Sequence, residues 1–119
     1  MLNNPSGRAT GQPFEARVEQ DAGTTFVRLS GELDLNCRSR FDSTFRRVAS
    51  VRGRKVVVDL SGLTFVDSTG LRMILEAESQ SRREGFELSF IPAQGQVQNV
   101  LELTGIDTAL SKIDGEPVL

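Results

Sequence analysis

The chain has 119 residues, enough to bury one hydrophobic core and too few for two. Its 14 basic and 16 acidic residues leave a net charge of −2, which offers no field to neutralise a run of nucleic-acid phosphates. One cysteine, Cys37, and no histidine exclude an internal disulfide and the usual metal-ligand clusters, and no run of roughly 18 apolar residues exists to insert into a membrane.

Residues 1–12 are mostly polar with scattered glycine and are expected to be a flexible N-terminal tail, with the domain occupying 13–119. The start holds no apolar segment of signal-peptide length, so a cytoplasmic location is expected. "FEARVEQ" (14–20) alternates Phe14, Ala16 and Val18 with Glu15, Arg17 and Glu19, the pattern of a half-buried strand. "DAGT" turns the chain into a second strand, "TFVRLSG" (25–31), as a hairpin. The short link "ELDLN" ends in Asn36, which is expected to cap the helix that follows. Phe41, Phe45, Val48 and Ala49 recur at helical spacing through 37–50, with a stop expected near Gly53.

"KVVVDL" (55–60) is continuously apolar and β-branched, the mark of a strand covered on both faces and the candidate for the sheet's centre. Residues 68–85 predict a helix burying Leu71, Ile74, Leu75 and Ala77 or Glu78, ended by Gly85. "FELSFI" (86–91) is a strand broken by Pro92, and 94–105 a shorter helix through Val97, Val100 and Leu101 that ends at Gly105. A final edge strand is expected over 109–113. The order predicts an α/β domain: a mixed, mostly parallel sheet entered through an N-terminal antiparallel hairpin, with packed helices.

The seam "LTFVDSTGLRMIL" (63–75) concentrates the chemistry. Ser68 lies between strand and helix, but Val66 stands where a nucleophile elbow needs glycine, and the chain has no histidine to serve as base. Leu71 stands where a phosphate-binding P-loop needs lysine. Asp34, Asp59 and Asp67 would form a magnesium-binding trio only if the sheet gathered them at one end. Locally, Asp67, Ser68 and Thr69 are cap-forming residues, and Gly70 allows close packing of helix on sheet. The position adds a second possibility: just past the carboxyl end of the central strand, a phosphoryl group on Ser68 is tolerated by the helix dipole and alters what docks there.

"LSGELDL" (29–35), "VVVDLSGLTFVDSTGLRMIL" (56–75) and "VQNVLELTGI" (97–106), in this order, resemble the STAS domain of anti-sigma factor antagonists. The resemblance implies a partner switch without cofactors, metal or catalysis of its own. Unphosphorylated, the protein would bind an anti-sigma factor that is also a serine kinase and release the sigma factor. Phosphorylation of Ser68 would reverse this, and a metal-dependent serine phosphatase would restore it. Asp67 then lies beside the phosphosite, and Asp34 is either a rim contact or a solvated loop carboxylate. Thr69 is a cap or a second phosphorylation site, and Gly70 and Arg72 complete the partner-binding set.

Arg72 departs from the small residue of many relatives, and is expected to pair with the phosphate or to tune partner choice. The terminal helix of the family looks curtailed. Cys37, at a helix start, is either a thiol of lowered pKa or a small buried side chain. The alternative function is a stand-alone STAS subunit of a lipid- or membrane-transport complex, in which the same rim grips an ATPase without a phosphate cycle.

Overall fold

Ala22 and Gly23, both at positive φ (51° and 86°), form the two-residue turn that suits the twist of paired strands. They fold β1 (Glu15–Asp21) antiparallel onto β2 (Thr24–Leu33) in the computed structural model, which describes residues 11–49 and 55–113. Parallel pairing then adds β3 (Lys55–Val66) and β4 (Glu87–Ile91), giving the spatial order β1-β2-β3-β4. Helices α1 (Arg38–Ala49), α2 (Ser68–Glu84) and α3 (Gly95–Leu103) follow β2, β3 and β4 in turn. Among the described residues no helix is long and apolar enough to cross a membrane.

Strand β3 explains why its sequence lacks alternation. Val56, Val58 and Leu60 join the core beneath the helices, while Val57 packs with Phe26 and Ile91 in a small cluster on the other face. Phe41 and Phe45 of α1 stack at 4.8 Å, and Met73, Ile74 and Ala77 of α2 with Val97 and Leu101 of α3 complete the main core. The buried stripe of α2 differs from the expected one: Met73 and Ile74 lie deepest, whereas Leu71 and Leu75 are only half-buried.

Three other expectations need correction. Strand β1 is an edge with little cover: Phe14, just before it, is buried and Ala16 touches the core as expected, but Val18 is 39% exposed, because β1 has one strand neighbour. Its charges run at every second position, Glu15, Arg17, Glu19 and Asp21. The expected strand over 109–113 shrinks to one bridge, Lys112 beside Phe90, because Gly105 at φ 81° starts a 3-10 turn, Ile106–Ala109, that uses the backbone locally. Asp34, not Asn36, is the cap, since Asn36 lies inside a 3-10 turn, Leu35–Cys37, leading into α1. The stop expected at Gly53, most of the N-terminal tail and the end of the chain fall outside the described residues.

Strand β3 outruns β4. Asp59 is its last residue paired to β4, and the remaining stretch to Val66 pairs with β2 alone, through two register shifts. Such bulges bend a strand pair. The β2–β3 ribbon thus carries the start of α2 beyond the rest of the sheet.

Candidate functional site

Parallel register decides which acids meet. Leu33 pairs with Val66, and the Asp67 N–H donates to the Leu33 carbonyl at 3.3 Å, so the residues that follow the two strands, Asp34 and Asp67, emerge side by side. Asp67 takes an extended conformation (φ −107°, ψ −174°) and its Oδ1 accepts the Gly70 N–H at 2.8 Å, the bond of an N-terminal cap. The helical ladder has no use for the N–H groups of Ser68 and Thr69, which sit at the positive end of the α2 dipole.

Gly70 sets the height of this tip. A Cβ there would lie 2.3 Å from the Leu33 carbonyl oxygen and 2.7 Å from Val66 Cγ2, both fixed by the ribbon. Only glycine lets α2 begin directly on the strand ends. The consequence is that Gly70 is buried while Ser68, the first helical residue, is exposed and Thr69 is half-buried. Arg72 is exposed one turn further, on the helical face that Ser68 shares by its spacing.

Asp34 caps the turn Leu35–Cys37, its Oδ1 accepting the Asn36 N–H at 3.0 Å. Burial pushes its carboxyl above the ordinary aspartate range, and the charges of Asp67 and Glu32 push the same way against the lowering effect of the Asn36 bond. Asp34 and Asp67 therefore form an acidic pair next to Ser68, while Glu32, whose Oε2 accepts the Gly11 N–H, adds its charge to the field at Asp34. Glu32 is absent from the predicted set, although it lies only two residues before Asp34. Leu35, 65% exposed beside Asp34, was also missed, although a leucine in a polar link is itself a signal. Beyond Val66, the ribbon and α3 border an open groove of about 570 Å³ lined by Phe65, Val66, Val100 and Leu103.

The aspartate trio does not form. Asp59 points away from the seam and is held by Arg28 at 2.9 Å and Ser61 at 2.6 Å. Eight residues of strand, about 25 Å at the usual rise, separate it from Asp67. No group of three or more His, Cys, Asp or Glu able to hold a metal ion occurs among the described residues. Cys37 is buried, and burial pushes its thiol pKa up, which overturns the activated-thiol reading. Burial outweighs the short turn that precedes α1.

Neither lysine that could stand in for a histidine base lies at the seam. Lys55 starts β3 at the far end of the strand, and Lys112 pairs with Asp107. The site is an accessible hydroxyl on a fixed helix tip, edged by carboxylates.

A family model described as "Mlab, STAS domain" matches residues 16–113. The chain is 28% identical over 107 residues to the anti-sigma F factor antagonist of Paenibacillus polymyxa, covering 87% of this chain and 89% of that protein. An anti-sigma factor antagonist from Mycobacterium paratuberculosis shares the fold with a TM-score of 0.72 at 24% identity, over 93% of this chain and 92% of that one. The anti-sigma factor antagonist SpoIIAA in its unphosphorylated form gives 0.63 at 16% identity, over 86% and 90%. The Bacillus SpoIIAA in its phosphorylated form gives 0.53 at 18% identity, over 85% and 93%.

Proposed function

The chain belongs to the STAS-domain family, and from that premise we propose that it is an anti-sigma factor antagonist switched by phosphorylation of Ser68. The observation that carries this reading is the exposed Ser68 hydroxyl at a helix tip whose position Gly70 and Asp67 dictate. Unphosphorylated, the rim of Asp34, Asp67, Ser68, Thr69, Gly70 and Arg72 docks an anti-sigma factor serine kinase in the cytoplasm, and the sigma factor is released.

The kinase supplies what this chain lacks. Its base takes the Ser68 proton while the γ-phosphoryl of ATP moves to Oγ, forming one P–O bond as the bond to ADP breaks. About two negative charges then enter a rim that already holds the Asp34 and Asp67 carboxylates, and the docked protein is repelled. The fold is untouched, because the added group sits outside the core and at the favourable end of the α2 dipole. A metal-dependent serine phosphatase hydrolyses the ester with water, returning the hydroxyl and inorganic phosphate. The chain is substrate and ligand throughout, with no catalysis of its own. Thr69, half-buried, is the lesser acceptor.

Wild type, Ser68→Ala and Ser68→Asp incubated with the partner kinase and ATP test this, read by intact mass and pull-down. Wild type gains one phosphate, Ser68→Ala gains none and stays bound, and Ser68→Asp loses at least about tenfold in affinity. Equal binding by all three variants with no phosphate gained replaces the switch with a transport-complex subunit gripping an ATPase.

A further inference from the structure

The turn Leu35–Cys37 is closed by the Cys37 N–H donating to the Asp34 carbonyl at 3.1 Å, the Arg38 N–H donating to the Leu35 carbonyl, and the Asn36 N–H donating to Asp34 Oδ1 at 3.0 Å. Its further support comes from Cys37. The thiol sulfur accepts the Asp34 N–H at 3.3 Å and donates to the Asp34 carbonyl at 3.1 Å, so one side chain holds both backbone polar groups of the rim residue. That side chain is only 3% exposed and packs in the main core cluster with Leu33, Phe41 and Val66. An exposed acid is thus tied to the interior through a sulfur atom.

We propose that Cys37 is the positioning residue of the acidic rim: its core-anchored thiol holds the Asp34 backbone so that the carboxylate stands beside Asp67 and Ser68, and it thereby sets the affinity of the docked partner. The positioning stands on geometry alone, whereas its effect on affinity rests on the function proposed above. In that position burial, and to a lesser degree the charge of Asp67, raises the Asp34 carboxyl, which makes its titration a readout of where it stands.

The test follows the Asp34 side-chain carboxyl by NMR titration, and partner affinity by calorimetry, in wild type, Cys37→Ser and Cys37→Ala. Cys37→Ala returns the Asp34 carboxyl toward its ordinary value and weakens binding about tenfold, while Cys37→Ser, which keeps a donor and an acceptor, preserves both. In an Asp34→Asn background, Cys37→Ala then adds no further loss, because its effect passes through Asp34. If Cys37→Ala does not fold, Cys37→Val makes the same comparison with the volume filled. The proposal is overturned if the alanine or valine variant melts earlier yet titrates and binds like wild type, or if the binding loss persists in the Asp34→Asn background. Failure of wild type to bind the kinase sinks the functional reading, while the titration still judges the positioning.

Discussion

Helices α2 and α3 both begin after the carboxyl ends of parallel strands, yet their tips are built in opposite ways. At α2 the Asp67 side chain caps the first turn and Gly70 is wedged against the Leu33 carbonyl. At α3 the residue in the cap position, Gln94, makes no side-chain cap bond, and Gly95, at φ 57°, has nothing within 4 Å of where a Cβ would lie. Both tips carry the same dipole. A helix N-terminus alone therefore does not set the α2 tip apart; its fixed position, exposed hydroxyl and flanking acids do.

Substitutions at the two glycines would break this contrast if it is false. Gly70→Ala forces backbone against side chain and costs about 3 kcal/mol, since the ribbon beneath it cannot yield. Gly95→Ala has room and bears only the left-handed backbone strain, about 1 kcal/mol. Urea unfolding of the two variants gives the comparison directly, and equal losses would contradict it. The caps sharpen the point on a smaller scale. Asp67→Ala lowers stability by about 1 kcal/mol, and Gln94→Asp, by giving α3 the cap it lacks, raises it by about 0.5 kcal/mol.

The smallest effect concerns charge. Because the folded state raises the Asp34 pKa, it binds that proton more tightly than the unfolded chain does, so the Asp34 contribution is favourable at low pH and is lost as pH rises through the folded value. Asp34→Asn keeps a capping oxygen and removes the charge. Its melting temperature accordingly exceeds that of wild type at neutral pH, and the gap closes as pH falls below the ordinary aspartate range.

Elements with strong periodicity were legible in the sequence: the apolar run at 55–60, the helical spacing of Phe41, Phe45 and Val48, and the glycine that ends α2 at Gly85. So was the seam, because Asp67 followed by small residues between two apolar runs marks a capped helix on a strand. What the sequence hid depends on distant pairing. The meeting of Asp34 with Asp67 follows from Leu33 lying opposite Val66, which no local pattern reveals. Asn36 and Asp34 are equally good cap residues on paper, and only the turn geometry chooses between them. Cys37 reads as either a helix-start thiol or a small buried side chain, and packing against side chains far along the chain decides for burial. The lost edge strand had apolar residues enough, but Gly105 redirected the backbone before they could pair.

The outer side of β1 has a quieter consequence. Among the described residues its backbone meets no further strand, and such a border ordinarily invites a neighbouring molecule to add itself like the next plank of a floor. Charged groups at every other place along it make that addition unfavourable. A second copy that joined there would have to set its own row of charges against this one.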